Sequence, residues 1–527
     1  MEKHIRLLDC TLRDGGHVVQ GVFGESVIRN TIERLVEAGT DIIEVGFLWD
    51  TTYGTDTARY YSIEDVKRIL PEKRGRSHFS LMADFIDLEH LEPCDGTIEF
   101  IRLSFKRWRL DWGLKTARIF MDKGYKVFIN PVNNNVYSDK QYIEVLEKVN
   151  ELYPYGFSIV DTFGVMHVNE LSHRYYLVEN NLLPDITIGV HLHENLGLAY
   201  SLAQHITKIA NPKRNIVIDG SLLGMGRVPG NLCIEHIMDY MNEQYAAGYA
   251  LEPVYDAIDD YIAPIKEKNP WGYATPYALS AKYYLHRTYA EYLMGKQRLK
   301  TKDIQRILAQ VDASEAETFN EEYIETLYLE YMDVKYDDTR DLEEITNIIN
   351  RYSKILVLAP GSSIKNLPQN VVDYVGSDTC VISVNFDPEW EVVKENFVFL
   401  TNMKRYDVIK KRRDGSKLIV TSNLLRDVKD YNFAIAYNEL AYFKDEYCDD
   451  STLMLLNLLS KIGIKSVAFA GFDGCKNGQM QFYDNKLDGG RSKKSNGGQI
   501  NNILNTVFST INKTFLTPSE YQREDAQ

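Results

Sequence analysis

The feature that most constrains this chain is a series of short apolar, β-branched segments that alternate with helical stretches over its first half. Eight such segments occur, at residues 5–10, 41–47, 78–83, 97–103, 126–130, 157–161, 186–191 and 215–219. Between the first two, residues 26–38 place Ile28, Ile32 and Leu35 on one helical face. Alternating β and α units imply parallel strands with right-handed crossovers, and eight units predict a closed (β/α)₈ TIM barrel. An open doubly wound sheet fits less well, because residues 14–17 do not form a G-x-G-x-x-G turn.

The chain has 527 residues, more than the ~250–300 at which a single core usually stops growing, so several domains are expected. We predict an α/β protein in three parts, with a TIM-barrel domain at 1–270, a helical extension and linker at 271–345, and a Rossmann-like α/β domain at 346–527. Helices are predicted at 273–294, 302–311 and 317–332, followed by an exposed acidic connector at 333–341. Strands of the last domain are predicted at 355–358, 380–385, 397–401, 417–421 and 466–471.

Charge and composition exclude several classes of function. The net charge of −15 argues against nucleic-acid binding, which needs a basic face. No apolar run approaches the ~18–20 residues that span a bilayer, and no signal-peptide core follows Met1, so we expect a cytoplasmic protein without membrane partners. The basic, aromatic run from Lys106 to Arg109 is interpreted either as solvated surface or as a contact for an anionic substrate.

Polar side chains gather at the predicted strand ends, where the loops of this fold build active sites. The first strand is followed by Arg13, Asp14 and His17, and the seventh runs into His191 and His193. Residues two apart on a strand point the same way, so both imidazoles can face Asp14 at the barrel mouth. Two imidazoles and a carboxylate suit a divalent metal with open positions for substrate. A purely structural His-x-His pair remains the alternative.

Three further strand ends add candidates. Glu44 ends the second strand, and Thr162 follows the sixth with a hydroxyl that can hold a carboxylate. A buried ion pair is the alternative for Glu44. The glycine-rich segment after the eighth strand leads to Asn231, whose amide can supply a neutral oxygen ligand.

These motifs together resemble the DRE-TIM metallolyase superfamily, which includes HMG-CoA lyase. The matching segments are 7–17 (LLDCTLRDGGH), 42–47 (IIEVGF), 160–166 (VDTFGVM), 191–199 (HLHENLGLA) and 218–231 (IDGSLLGMGRVPGN). The histidine at position 17 and the segment 270–277 are most similar to the 4-hydroxy-2-oxovalerate aldolase branch.

The resemblance implies a site and a reaction. Asp14, His191 and His193, with Asn231, are implied as ligands of Mn²⁺ or Mg²⁺. Arg13 would stabilise an enolate oxyanion, and His17 would take the proton of the distal hydroxyl. Arg13, Glu44 and Thr162 are the candidates for substrate binding.

The last domain carries weaker motifs. A strand runs into Ser362 and Ser363, a small-residue turn that is interpreted either as a phosphate contact or as a structural turn. The segments 382–385 and 470–474 resemble sialyltransferase-like nucleotide-sugar domains, which would imply a role in surface-polysaccharide metabolism. Asp473 and Asp484 are either ligand contacts there or solvated loop residues.

We therefore predict a divalent-metal-dependent aldolase that cleaves or condenses pyruvate-type 2-oxo acids with an aldehyde or sugar. Its expected partners are small molecules, and a homo-oligomer is left open. One alternative is a Claisen-type acyl-CoA condensing synthase. The other is an inactive barrel that serves a C-terminal transferase domain.

Overall fold

The computed structural model of the chain describes residues 4–50, 54–84, 91–133, 136–388, 390–409, 415–444, 446–476, 479–480, 482 and 497–522. The chain divides into two compact units. The barrel unit comprises Met1–Arg287 and Ala313–Phe319, and the sheet unit comprises Thr288–Asp312 and Asn320–Gln527. Residues 271–345, predicted as a helical extension, contribute to both units, and the domain boundaries at 270 and 345 stay predictions. No described helix is long and apolar enough to cross a membrane.

The barrel unit contains the predicted closed parallel barrel. Its strands are β1 (Ile5–Asp9), β2 (Ile42–Leu48), β3 (Arg59–Tyr60), β4 (His78–Asp84), β5 (Phe100–Phe105), β6 (Lys126–Pro131), β7 (Gly156–Asp161), β8 (Thr187–Leu192) and β9 (Ile216–Gly220). β1 pairs in parallel with both β9 and β2, which closes a ring of eight strands among the described residues. The short β3 is a ninth strand, which pairs with β2 alone in the part of the chain that the structure describes. The eight predicted strands are confirmed, with ends that shift by up to three residues.

Amphipathic helices cover the outside of the barrel. They are α1 (Glu25–Glu37), α2 (Ile63–Lys67), α3 (Leu110–Asp122), α4 (Asp139–Leu152), α5 (Val168–Asn181), α6 (Ala199–Ile209), α7 (Ile234–Tyr245), α8 (Glu252–Ala257), α9 (Ala263–Lys268) and α10 (Thr275–Lys282). In α1 the predicted face is the buried one, because Ile28, Ile32 and Leu35 are fully buried in the main core. Each fully buried side chain of this size contributes about 1.5–3 kcal/mol.

The barrel interior changes from apolar to polar towards the carboxyl ends of the strands. A buried apolar cluster fills the lower layer, with Leu8, Ile42, Phe100, Phe128 and Val217 among its members. Two residues further along the same strands, on the same face, buried polar side chains replace them. These are Glu44, Arg102, Asn130 and Asp219, with the Cys10 thiol beside them. The alternation of the strands thus delivers charged groups to the end of the barrel where this fold does chemistry.

The sheet unit is a parallel sheet of seven described strands, in agreement with the predicted C-terminal α/β domain. The seven strands of this sheet are β10 (Lys354–Leu358), β11 (Thr379–Val384), β12 (Phe397–Leu400), β13 (Lys417–Thr421), β14 (Phe433–Ile435), β17 (Ser466–Ala470) and β20 (Asn512–Phe515). Short strands form two separate antiparallel pairs, β15 (Tyr442–Phe443) with β16 (Glu446–Tyr447) and β18 (Cys475–Lys476) with β19 (Gln479–Met480). The order in the main sheet is β14-β13-β12-β11-β10-β17-β20. The sequence did not predict the two edge strands, because β14 has three residues and β20 is half exposed.

Helices complete the sheet unit. They are α11 (Thr288–Gly295), α12 (Thr301–Leu308), α13 (Glu321–Met332), α14 (Thr339–Ile349), α15 (Gln369–Tyr374), α16 (Tyr406–Ile409), α17 (Tyr437–Ala441), α18 (Ser451–Lys461) and α19 (Gly497–Thr506). The segment 333–341, predicted as an exposed connector, is only partly exposed. The carboxylates of Asp341 and Asp338 accept the amides of Ala434 and Ala436, each at 2.9 Å. They thereby satisfy backbone donors at the edge strand β14.

The single helix predicted at 273–294 is wrong, because the chain breaks it after α10. Tyr284 adopts a left-handed conformation with φ of 55°. Its amide donates to Ala281 O at 2.8 Å, and the amide of Leu285 donates to Ser280 O at 2.9 Å. This pair of bonds is the Schellman motif that ends helices, usually with glycine at the left-handed position. A tyrosine there gave no sequence signal.

The helix predicted at 317–332 begins later, at Glu321. Asn320 caps it, because its side-chain oxygen accepts the amide of Tyr323 at 3.2 Å. The preceding residues Glu317–Phe319 belong instead to the barrel unit and line its cavity.

Candidate metal centre and active site

Asp14, His191 and His193 come together at the carboxyl ends of the barrel strands. Each offers one ligand atom, and the three atoms lie within 4.8 Å of one another. His193 Nε2 and Asp14 Oδ2 lie 4.0 Å apart. Asp14 follows β1, and the two histidines lie at the end of β8 and just beyond it. The convergence expected from the His-x-His spacing is therefore present in the structure.

Hydrogen bonds hold both imidazoles with Nε2 available as a ligand atom. His191 Nδ1 lies 2.9 Å from Asp219 Oδ2, and His193 Nδ1 lies 2.8 Å from the backbone oxygen of Asp161. A carboxylate and a carbonyl can only accept, so Nδ1 carries the proton in each ring and Nε2 presents a lone pair. Burial and the neighbouring His191 lower the pKa of His193 to about 4, so this ring is neutral at pH 7. Neutral imidazoles with fixed tautomers are what a divalent cation requires.

The carboxyl of Asp14 is held in its ionised form. Burial by itself would raise the pKa of Asp14, but the Arg13 guanidinium and three nearby imidazoles hold it well below its usual value. Arg13 Nη1 donates to Asp14 Oδ1 at 2.7 Å, in a pair whose side chains are both buried. The third predicted ligand is therefore charged at any pH near neutrality.

A buried network of charges positions these groups, and sequence reasoning missed two of its members, Arg102 and Asp219. Glu44 Oε2 accepts from Arg13 Nε at 2.6 Å and from Arg102 Nη1 at 3.2 Å. Arg102 also donates to Asp219, the partner of His191. One signal was present in the sequence, since an arginine inside the apolar strand segment 97–103 requires a buried partner.

The predicted role of Glu44 as a direct substrate ligand has no support in this geometry. Its side chain is completely buried and does not line the cavity. Both guanidiniums bind the same carboxylate oxygen, Oε2, so the structure favours the alternative of a buried ion pair, in which Oε1 has no hydrogen-bond partner among the described residues. We therefore treat Glu44 as a positioning residue for Arg13.

Asn231 lies against Asp14 and leaves one oxygen without a partner. Its Nδ2 donates to Asp14 Oδ2 at 2.6 Å. Among the described residues, its buried Oδ1 has no hydrogen-bond partner. A buried amide oxygen of this kind is costly unless it binds a donor or a cation. Gly226 permits this close packing, because a Cβ there would lie 2.4 Å from Asn231 Nδ2 and 2.8 Å from Asp14 Oδ2.

The donor set fits a divalent metal cation. It combines a carboxylate, two imidazoles that present Nε2 and an orphaned amide oxygen, and it leaves positions for water or substrate oxygens. Asp14, His191, His193 and Asn231 are the residues that would hold the ion.

The candidate catalytic residues border a cavity of about 540 Å³ in the barrel unit. Arg13, His17 and Thr162 line it together with the metal-site residues Asp14 and His191. His17 Nε2 accepts from Arg227 Nη2 at 3.3 Å and lies 3.8 Å from Asp14 Oδ1.

The protonation state of His17 and the hydrogen bond of Thr162 bear on the chemistry of this cavity. Burial, together with Arg227, lowers the pKa of His17 to about 3, so the ring is neutral at pH 7. Thr162 Oγ1 accepts the amide of Asn133 at 2.8 Å, which leaves its own proton to donate to a substrate oxygen.

In the sheet unit, the predicted phosphate turn already binds a carboxylate of the chain. Asp473 accepts the amide of Ser363 at 2.8 Å and also accepts from the hydroxyls of Ser363 and Ser362. An anion occupies the position that a phosphate would need, which favours the structural reading of this turn. Asp484 lies outside the described residues.

The fold and the site define a class of protein, a (β/α)₈-barrel enzyme with its functional groups at the strand carboxyl ends. Residues 111–259 match the model of the HMGL-like family. This segment lies wholly within the barrel unit and includes both His191 and His193. Together with the curated relatives, the match supports the HMGL-like (DRE-TIM) superfamily and indicates a lyase.

Two curated relatives and one solved structure illustrate the likeness. A 4-hydroxy-2-oxovalerate aldolase from Marinomonas sp. is 23% identical over 288 residues, covering 51% of this chain and 80% of the relative. An oxaloacetate decarboxylase from Mycobacterium tuberculosis is 22% identical, covering 48% of this chain and 74% of the relative. A hydroxymethylglutaryl-CoA lyase structure from Pseudomonas aeruginosa is 15% identical with a TM-score of 0.40, covering 50% of this chain and 93% of that one. The resemblance of the C-terminal domain to sialyltransferase-like domains gains no support from these and stays a prediction.

Proposed function

We propose that the barrel unit is a divalent-metal-dependent aldolase that cleaves or forms the carbon–carbon bond beyond the methylene of a pyruvate-type 2-oxo acid. The observation that carries the proposal is the convergence of Asp14, His191 and His193, with both Nδ1 atoms already engaged and both Nε2 atoms available. A cation bound there would supply a Lewis acid for the keto oxygen of the substrate.

The residues of the chain take the remaining roles. Arg13 is fixed by Glu44 and Asp14, and its guanidinium would stabilise the oxyanion that develops on the enolate. Thr162 donates its hydroxyl to the substrate carboxylate. His17, neutral and facing the cavity, accepts the proton of the distal hydroxyl during cleavage and returns it during condensation.

The proposal is tested by isotope exchange into the methyl group of pyruvate. The full chain with Mg²⁺ or Mn²⁺ should exchange these protons with D₂O in the absence of any acyl-CoA, as followed by mass spectrometry. Asp14→Asn should lower the exchange rate by ~100-fold or more, because it removes a charged ligand. His173→Ala is the matched control, since His173 is exposed and pairs with Asp139 on the outer helices.

The outcome is interpretable only for folded protein, so circular dichroism accompanies both variants. Undiminished exchange in a folded Asp14→Asn variant, or equal exchange after removal of divalent metal, would overturn the assignment. Exchange that requires an acyl-CoA would favour the condensing-synthase alternative instead.

A further inference from the structure

The cavity is larger than a 2-oxo acid requires. Its volume of about 540 Å³ lies in the range of ~300–1,000 Å³ that holds drug-sized ligands. A pyruvate-sized molecule at the metal site would fill only the part next to Arg13 and Asp14. The rest of the described wall comes from residues at the ends of most barrel strands and in the loops after them, with Lys106 after β5 and Arg227 after β9, and from two later segments, 285–287 and 317–319. This wall is the part that a second substrate would meet.

The charge of that wall is predominantly positive. The described charged side chains that line the cavity, histidines aside, are Arg13, Asp14, Arg102, Lys106, Arg227, Arg287 and Glu317. Arg13 and Arg102 are bound by buried carboxylates at the metal end. The outer wall therefore presents three cations, Lys106, Arg227 and Arg287, against the single carboxylate of Glu317.

The pKa of a nearby histidine is consistent with this excess of positive charge. His286 lines the same cavity, and burial lowers its pKa to about 4, with Arg287, Arg227 and Lys106 each contributing in the same direction. All three cations therefore act on one region of the wall. Positive side chains in a concave site concentrate the field and favour an anionic ligand.

One cation of the outer wall, Lys106, belongs to a motif that the sequence analysis singled out. It begins the basic run for which solvated surface and anionic-substrate contact were both open. Its side chain lines the cavity, and its Nζ donates to Thr318 Oγ1 at 3.4 Å and lies 4.8 Å from the ring centroid of Trp108, whose side chain is 66% exposed. The two interpretations therefore apply to different residues of the run, because Lys106 borders the cavity and Trp108 is solvated surface.

We propose that the aldehyde partner of this site carries an anionic group, a phosphate or a carboxylate, which is bound by Lys106, Arg287 and Arg227. This inference rests on the proposed aldolase function. In condensation, the methyl carbon of pyruvate loses a proton to solvent water and bonds to the aldehyde carbon, whose oxygen gains a proton from His17. The reaction balances without an oxidant, and the anionic group takes no part in it. Guanidiniums bind both phosphate and carboxylate through paired hydrogen bonds.

The test compares aldehydes that differ in the anionic group. Condensation with pyruvate is measured for the full chain with Mg²⁺, using glyceraldehyde 3-phosphate against glyceraldehyde and succinic semialdehyde against butanal. At least one anionic member should exceed its neutral partner by ~10-fold or more in kcat/KM, equivalent to about 1.4 kcal/mol. A preference in the first pair alone identifies phosphate, and one in the second pair alone identifies carboxylate.

Substitutions connect the preference to the wall. Arg287→Gln and Lys106→Gln should each reduce the ratio between anionic and neutral aldehydes, chiefly through KM, and Arg287→Lys should retain more of it. Lys115→Gln, which removes an exposed charge on α3, should leave the ratio as in the wild type. An unchanged ratio in both glutamine variants would assign the preference to another part of the molecule and overturn the proposal.

The aldolase proposal and the anionic-partner proposal are overturned by different results. Wild-type protein that exchanges pyruvate protons but shows no preference in either pair overturns the anionic partner and keeps the aldolase. Protein that does not exchange pyruvate overturns the aldolase. Where none of the four aldehydes condenses, saturation-transfer NMR of the same four decides. Tighter binding of the anionic members supports the charged wall, and equal binding overturns it.

Discussion

Arg102 is the residue on which the charge arrangement of the barrel depends. It is 1% exposed, and it joins Glu44, which holds Arg13, to Asp219, which holds His191. A buried ion pair of this kind contributes little net stability when intact, since desolvation offsets the attraction. Its function is to orient groups on two different strands towards one point.

Arg102→Met should therefore lower the free energy of unfolding of the barrel unit by about 3–5 kcal/mol, because it leaves two buried carboxylates short of a cation. Hydrogen exchange of barrel peptides in urea measures this locally, which a chain of two units requires. Arg29→Met, which breaks the partly exposed pair with Glu25, should cost less than about 0.5 kcal/mol. Equal small losses in both variants would contradict the account of the network.

At the scale of elements, the segment that follows β9 builds one side of the candidate metal site. It turns back at Gly224 and Gly230, both with positive φ, and brings Asn231 against Asp14. Gly226 lies between them with room for a hydrogen only. The segment is thus constrained by close approach to the site as well as by backbone conformation.

Gly226→Ala should weaken Mn²⁺ binding by about 10–100-fold, because the added methyl group separates Asn231 from Asp14. Isothermal titration with Mn²⁺ measures the affinity, and circular dichroism checks the fold. Gly295→Ala is the control, since a Cβ at Gly295 meets nothing within 4 Å. Affinity as in the wild type for Gly226→Ala would show that this packing does not matter for the ion.

Periodicity predicted the strands and helices of the barrel because they repeat with period 2 or 3.6 and are long. It also predicted which side chains would share the barrel mouth, since a strand fixes the direction of alternate residues. Periodicity failed where the conformation or the pairing of a single residue determines the structure. Tyr284 ends α10 in a conformation that usually takes glycine, so one helix was predicted where two exist. The pairing of Arg102 with Asp219 spans 117 residues and has no local pattern.

At the scale of the whole molecule, the described lining of the cavity belongs entirely to the barrel unit. That unit includes the segment Ala313–Phe319, which lies in the chain between helices of the sheet unit. The sheet unit has its own half-buried polar contact, the carboxylate of Asp473 in the turn of Ser362 and Ser363. The two units therefore hold separate sets of candidate groups.

Asp473→Ala should leave the exchange of pyruvate protons within about two-fold of the wild type, while amide protection around Ser363 falls because the amide loses its acceptor. Mass spectrometry reports both quantities on the full chain. Asp373→Ala, at an exposed position of α15, should alter neither. A ten-fold loss of exchange in Asp473→Ala would mean that the sheet unit takes part in the barrel chemistry.

The central claim is that one acidic side chain and two imidazoles bind the same divalent cation. Electron spin-echo spectroscopy of Mn²⁺ bound to the full chain, with histidine labelled by ¹⁵N, tests it directly. Two directly coordinated histidine nitrogens should be seen, one of which disappears in His191→Ala. A spectrum without any coordinated histidine nitrogen would contradict the site, and with it the lyase mechanism proposed for this barrel.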